Sequence, residues 1–446
     1  MTGMPVTPDE GRPSAVPDSS SINGAPATVA RALRLIEDGL LDHANIDALC
    51  ERLGIGARQL RRLFHKHLGR SPVQVASIRR AHFARRLIET TQLSMAHIAR
   101  AAGFGSVRRF NAVMNEVYGC PPTALRRSPP KAGSGLELHV PVRKPFPWDR
   151  MLQFLEPWTS SGVEQIVDDR YFRTAAYGKE VGEVCVSYDD AQSALLVRVS
   201  SSLGARLLDV VSGVRRLFDV DAPIDDITAH LRADATLDAC IQATPGLRVP
   251  GAFDHFETAV MMLLNQHLDP QEASELMDRV VDKHGKRIDT SQPSLTHVFP
   301  TPYALSTARL EAVGVPKRRA RSIQSLAKAV HEGAIRLDGT PSLETAVERL
   351  RSITDLSATT AQYIAMRVYR EADAFPANNP WLRKALSHNG TPVSMQELDT
   401  RAQGWSPWRA YASIYLWDSF VGDQTETRRF WRGARESAPP SAGHVA

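Results

Sequence analysis

Residues 46–72, IDALCERLGIGARQLRRLFHKHLGRSP, return in altered form at residues 95–122, MAHIARAAGFGSVRRFNAVMNEVYGCPP. Ile46, Leu49, Leu53-Gly54-Ile55-Gly56, Leu60, Phe64, Gly69 and Pro72 correspond to Met95, Ile98, Ala102-Gly103-Phe104-Gly105, Phe110, Met114, Gly119 and Pro122. The offset is 49 residues through the second glycine and 50 beyond it, so the second copy carries one inserted residue. Apolar residues recur at helical spacing on both sides of the glycines, and each copy therefore reads as helix, glycine-centred turn, helix. Glycine in the turn lets the backbone take a positive φ, so that two helices can cross steeply. The helix expected between the copies, Pro72 to about Thr90, carries Arg79, Arg80, Arg85 and Arg86.

Charge sets this block apart from the rest of the chain. The 446 residues sum to +5, yet residues 27–127 hold 17 Lys and Arg against 7 Asp and Glu. The whole basic excess sits there, which is the electrostatic footprint of a phosphate-binding surface. A solvated arginine-rich helix face, or a repeat that serves packing alone, is the bland alternative; charge block and repeat together argue against it. With 43% hydrophobic residues, several domains with their own cores are expected. The cysteines at 50, 120, 185 and 240 are far apart and form no C-x-x-C pair, so neither a zinc site nor a disulfide framework is indicated. No apolar run is long enough for a membrane span, and the N-terminus lacks a basic stretch followed by an apolar one. A cytoplasmic, nucleoid-associated protein is expected, with neither metal nor organic cofactor.

Two helix-turn-helix units at this spacing resemble the AraC/XylS DNA-binding domain. The match covers residues 27–127, and Gly-Phe-Gly-Ser-Val-Arg-Arg-Phe-Asn at 103–111 is close to that family's second-unit signature. The resemblance implies recognition helices at about Ala57–His67 and Ser106–Tyr118. Their candidate groove-facing residues are Arg58, Gln59, Arg61, Arg62 and Lys66 in the first and Arg108, Arg109 and Asn111 in the second. Arginine suits guanine O6 and N7 and asparagine suits adenine, while Arg and Lys also reach phosphates. Two units in one chain can read adjacent major-groove segments without a dimer.

Outward from this block, residues 1–26 are rich in Pro, Ser, Gly and Asp and read as a disordered arm. Residues 128–135, SPPKAGSG, read as a linker. Alternating stretches at Leu136–Val142, Tyr171–Thr174, Glu183–Ser187 and Leu195–Ser200 predict strands, and a helix is expected from about Arg206 to Phe218. From Pro245 onward nearly everything is helical, and residues 436–446 read as a disordered tail. Residues 136–431 resemble the AlkA-type alkylbase DNA glycosylases, with matches at Phe299-Pro-Thr-Pro302, Val313–Ala320 and Trp405–Tyr411. The expected fold is mainly α and multidomain: a double helix-turn-helix domain (27–127), a small α+β domain with an antiparallel sheet (136–249), and an all-helical domain of the helix-hairpin-helix glycosylase kind (250–435).

The resemblance also implies a base-excising site, and here the sequence departs from the pattern. In Asp373-Ala-Phe-Pro-Ala-Asn-Asn-Pro-Trp-Leu-Arg-Lys-Ala-Leu386 the position of the family's catalytic aspartate is Asn379. Asp373 matches a different family position and is not its substitute. The hairpin glycines that let backbone N–H groups approach a phosphate are absent, since these positions read Thr354-Asp355-Leu356-Ser357. Thr359 stands where the family has a base-site tryptophan, while Tyr363 and Trp417 keep their places. His267 occupies the wedge position that fills the gap left by an everted base. Phe154 matches a pocket aromatic, although an ordinary core phenylalanine is the simpler reading of that residue taken alone.

A carboxylate beside the sugar stabilises the oxocarbenium-like state of base excision, and a neutral amide does not supply that charge. The expected function is a sequence-specific, AraC-type transcription regulator carrying a glycosylase-like domain that is catalytically impaired, serving the alkylation response. The alternative is an active DNA-3-methyladenine glycosylase of base excision repair. Expected partners are promoter or operator DNA, RNA polymerase and no membrane. A zinc-bound methyl-acceptor module, frequent at the start of Ada-like relatives, is not expected, because residues 1–26 contain no cysteine.

Overall fold

The computed structural model describes residues 27–126, 136–266, 268, 270–339, 342–387 and 391–423. The expected arm, linker and tail, and the wedge residue His267, lie outside the described residues.

The chain begins with helices α1 (Ala27–Glu37), α2 (Leu40–His43), α3 (Ile46–Leu53), α4 (Ala57–Leu68), α5 (Pro72–Thr90), α6 (Met95–Ala101) and α7 (Val107–Tyr118). Only the first glycine of each repeat turn needs its freedom: Gly54 and Gly103 sit at φ 65° and 74°. Gly56, at φ −74°, is extended backbone ahead of α4. Helix α5 starts where the sequence places it because Ser71 and Gln74 form a reciprocal capping box with Pro72 in the first turn. The first unit closes its own core around Leu33, Ile36, Leu49, Leu60 and Phe64. The second does not. Ile98, Phe104, Phe110 and Met114 share one continuous core with the next domain, including Val184, Val197, Leu208 and Val211.

That domain holds β1 (Leu136–Pro141), α8 (Trp148–Leu155), β2 (Glu164–Val167), β3 (Arg170–Tyr177), β4 (Glu180–Asp189), β5 (Ala194–Val199) and α9 (Leu207–Leu217). The strands form one antiparallel sheet in the order β1-β5-β4-β3-β2. Val184 pairs with Val199 and Val186 with Val197, so β-branched side chains face α9 in register. Strand β2 was not expected from the sequence. Its Glu-Gln-Ile-Val has no residue buried outright, so it carries no alternation to read.

The remaining helices are α10 (Ile224–Leu231), α11 (Ala235–Ala243), α12 (His255–Asn265), α13 (Pro270–His284), α14 (Pro302–Ser306), α15 (Lys317–His331), α16 (Leu343–Ile353), α17 (Ala358–Arg367), α18 (Pro380–Ala385), α19 (Met395–Ala402) and α20 (Arg409–Asp423). A short ribbon, β6 (Lys286–Arg287) with β7 (His297–Val298), lies between α13 and α14. Helix α17 stands between two cores: Ile364 packs with α12, α13 and α15, and Ala365 and Met366 pack with α11 and α20.

Charge pairs fasten the helix-turn-helix block to the rest. Arg31 is bidentate to Glu371 at 2.9 and 3.0 Å, and Arg52 to Asp338 at 2.8 and 3.0 Å. Arg79 donates to Asp42 at 2.6 Å and to Ser212 Oγ at 2.7 Å, and His43 Nε2 lies 2.5 Å from Asp209 Oδ1.

Candidate nucleic-acid interface and aromatic site

Helices α4 and α7 are amphipathic, and their buried stripes leave the opposite faces to solvent. Leu60 and Phe64 turn inward on α4, and Phe110, Val113 and Met114 on α7. The eight residues expected to face a groove, Arg58, Gln59, Arg61, Arg62, Lys66, Arg108, Arg109 and Asn111, are all exposed. None of the six cations among them is ion-paired to a carboxylate among the described residues. The basic block therefore divides into two populations. Arg31, Arg52, Arg79, Arg80 and Arg85 are each paired with a carboxylate, the first two across a domain seam and the other three within the block. Burial, aided by Arg215 and Arg79, pushes the Arg86 guanidinium down to about 10. The outward set keeps its charge unspent. A groove of about 360 Å³ separates the two units, lined by Arg70, Gln74, Arg109 and Glu116 among others.

Four of the second group of expected site residues form two contacting pairs, drawn from four separate elements. Phe154 on α8 and Trp417 on α20 meet edge to face, with ring centroids 4.8 Å apart and planes at 71°. Phe154 is half-buried at the seam of two cores rather than sunk in one, and Arg367 lies 5.6 Å from its ring centre. Tyr363 on α17 touches both cores of the helical domain. Burial pushes its phenol up to about 12, so it is neutral and donor-competent at any physiological pH. Thr359, half-buried, stands one turn before Tyr363 on the same helix face. Asn379, just ahead of α18, is 8% exposed, and its amide nitrogen donates to the Tyr363 hydroxyl.

Carboxylates near this group are already engaged. Arg409 holds Asp373 with two hydrogen bonds of 2.8 Å, and Ser406 adds a third at 3.0 Å. Asp418, beside Trp417, accepts from Thr244 Oγ1 at 2.8 Å and lies 3.7 Å from Arg150.

The hairpin positions join α16 to α17. Thr354 ends α16, its backbone N–H and hydroxyl both donating to Leu350 O, at 3.1 and 2.7 Å. Ser357 is the N-cap of α17 and accepts from Thr360 N at 3.0 Å. Leu356 is buried, while Asp355 is exposed and ion-paired to Arg318 on α15. Sequence reasoning missed two things here. Ser357 carries a readable cap signal, a serine directly before a helical run. Arg318 gives no local signal, because its pairing with Asp355 exists only in space. Arg319, next to it, donates to Gln266 O at the start of the wedge loop.

Among the described residues no His, Cys, Asp and Glu cluster could hold a metal ion, and no helix is long and apolar enough to cross a membrane.

Comparison with known proteins matches both halves. A family described as the AlkA N-terminal domain covers residues 137–254, and one described as a helix-turn-helix domain covers 49–128. A Mycobacterium tuberculosis protein named probable bifunctional transcriptional activator/DNA repair enzyme AlkA is 33% identical over 415 residues, spanning 91% of this chain and 83% of its own length. The DNA-3-methyladenine glycosylase 2 of Escherichia coli is 32% identical over 276 residues, 61% of this chain and 94% of its own. Among solved structures, a 3-methyladenine DNA-glycosylase from Archaeoglobus fulgidus superposes with a TM-score of 0.55 at 17% identity, covering 64% of this chain and 98% of that one. The last likeness concerns fold alone. Taken together, the repeat, the sheet domain and these relatives show that the chain belongs to the family that joins an AraC-type helix-turn-helix domain to an AlkA-type DNA glycosylase domain.

Proposed function

We propose that this protein is a sequence-specific transcription regulator that reads promoter DNA with α4 and α7 and uses its AlkA-type domain to hold an everted base with little or no excision. The observation that carries the reading is the contrast between its two sites. Eight polar and basic residues are presented outward without ion-pair partners among the described residues, whereas the position that should carry the catalytic charge is an amide bound to a neutral tyrosine. Phe154, Tyr363 and Trp417 offer aromatic faces on which a base can stack, with Thr359 in place of the further tryptophan. Asn379 adds hydrogen-bonding capacity but no negative charge, and loss of such a preorganised group lowers rate by on the order of 10²-fold or more. Asp373, Asp355 and Asp418 are tied to arginines and do not stand in. Exposed Arg62, Lys66 and Arg108 serve phosphate and base contacts, and His267 serves as the wedge. The hairpin residues Thr354, Asp355, Leu356 and Ser357 grip DNA weakly. RNA polymerase is the further partner such a regulator requires.

The second reading is an active DNA-3-methyladenine glycosylase, favoured by the retained Phe154, Tyr363 and Trp417 and by the names of the relatives. Single-turnover excision on a methylated-purine duplex separates the two, with wild type run beside Asn379→Asp. A silent wild type and an active Asn379→Asp support the regulator reading; base release by wild type well above an empty control overturns it. Binding to the protein's own promoter across a salt series completes the test. A regulator keeps a large specific-over-nonspecific ratio as salt rises, and a damage scanner does not.

A further inference from the structure

The loop that carries Asn379 is rooted on the helix-turn-helix domain. Its first residues, Arg370 and Glu371, are separated by two residues from the end of α17 at Arg367, and Arg370 sits at φ 55°, a left-handed conformation that residues with side chains rarely adopt. Arg370 donates to Asp38 Oδ1 and to Asp219 Oδ1, each at 3.2 Å. Asp219 is itself at φ 45° and accepts from the Tyr411 hydroxyl at 2.7 Å. Glu371, with a side chain 8% exposed, takes the bidentate grip of Arg31. Arg31 and Asp38 are seven positions apart across α1 and the turn after it, so one helix face clamps two consecutive residues of the root.

Packing does not hold this root on its open flank. A cavity of about 570 Å³ lies there, lined by Arg34, Arg370, Ala372, Trp408 and Tyr411 among others. Without atoms on that side, dispersion contacts are forfeited, and the charge pairs hold the root together with two backbone bonds, Glu371 N to Ala365 O at 3.0 Å and Ala410 N to Ala372 O at 2.9 Å. From the root the loop runs on through hydrogen bonds to Asn379: Ala374 N to Glu371 O at 3.0 Å, Phe375 N to Gln362 Oε1 at 3.0 Å, and Asn379 N to Pro376 O at 2.8 Å.

We propose that α1 is a positioning clamp for the Asn379 loop, so that promoter engagement by the helix-turn-helix units and occupancy of the aromatic site by an everted base are coupled through the Arg31–Glu371 and Asp38–Arg370 pairs. The coupling rests on the base-holding reading above; the clamp itself does not. Linkage makes the effect reciprocal: an everted base that shifts the loop changes promoter affinity by the factor with which promoter DNA changes base-site affinity, on the order of 10-fold.

Hydrogen exchange of the full chain, read by mass spectrometry, tests this. Without DNA, Arg31→Ala with Asp38→Asn should speed amide exchange over residues 372–379 by on the order of 10-fold while the β3–β5 sheet stays unchanged. Arg52→Ala, which breaks a neighbouring domain-seam pair that shares no hydrogen bond with Arg370 or Glu371, should leave the loop as in wild type. The swap Arg31→Glu with Glu371→Arg should restore protection, and it keeps the test decisive if the double variant misfolds. A loop unaffected by the double variant, or loosened equally by Arg52→Ala, overturns the clamp. In a second arm, a duplex with one methylated purine should slow exchange of residues 27–38 beyond an unmodified duplex in wild type but not in Glu371→Gln; equal slowing in both proteins overturns the coupling. If the methylated and unmodified duplexes bind wild type alike, the base-holding reading and the coupling fall, while the DNA-free arm still decides the clamp.

Discussion

By its place in the sequence match, Asp355 is proposed to lie where the hairpin approaches a phosphate, and in the fold it is ion-paired to Arg318 on α15. Replacing it by asparagine removes one negative charge and releases Arg318 while keeping side-chain size. Both side chains are well exposed, 57% for Asp355 and 77% for Arg318, so the pair contributes little to folding and the variant should unfold as wild type does. DNA binding should respond differently. Each phosphate neutralised by a cation steepens the dependence of log K on log salt by about 0.9 for duplex DNA. One released arginine therefore adds about 0.9 to the slope, so that going from about 50 to about 200 mM salt weakens the variant some 3- to 4-fold more than wild type. Fluorescence anisotropy with an abasic-analogue duplex over a salt series measures this, and differencing the two proteins cancels the contribution of α4 and α7. Arg318→Ala should act in the opposite direction, weakening binding at low salt by leaving Asp355 uncompensated. Equal slopes in wild type and Asp355→Asn, or a shallower slope in the variant, would refute the assignment of this turn to the phosphate backbone.

The other expectations can be measured with standard material. Ser357→Ala removes the α17 N-cap and should cost about 1 kcal/mol in urea denaturation; no loss would mean the cap is idle. Phe110→Ala empties a fully buried site in the core shared by the second helix-turn-helix unit and the sheet domain, and about 3–5 kcal/mol of stability should go with it. Arg62→Ala and Arg108→Ala should each weaken promoter binding: a base reader loses about 1–3 kcal/mol with relaxed specificity at one position, and a phosphate contact weakens all sequences alike. His43 is raised above its ordinary 6.5 by its hydrogen bond to Asp209. Because the folded value is the higher one, the pair stabilises fully below 6.5 and its contribution is lost as pH climbs through the raised value. Thermal unfolding across that window should show this loss in wild type and not in Asp209→Asn.

Much of the architecture is local enough to be legible. Helix α5 occupies Pro72–Thr90 as read from the chain, because proline, capping serine and helical periodicity coincide there. The helix-turn-helix turns follow from glycine's tolerance of positive φ, and β3, β4 and β5 from apolar alternation. Strand β2 escaped because Glu164–Val167 lacks that alternation. The aromatic group was legible only through family resemblance, since Phe154, Tyr363 and Trp417 share no local pattern.

Local chemistry thus determined by itself where α5, β3, β4 and β5 lie, that the first domain repeats, that its surplus charge is basic, and that Asn379 carries no charge. Those properties depend on neighbours a few residues away or on the side chain alone. Only the tertiary structure decided which arginines face outward and which are spent on Glu371, Asp338 and Asp42. It alone joined the second helix-turn-helix core to the sheet, paired Asp355 with Arg318, and anchored the Asn379 loop on α1. An ion pair acts over a few ångströms of space whatever the separation along the chain. Arg31 and Glu371, 340 residues apart, leave no trace of each other until the fold brings them together.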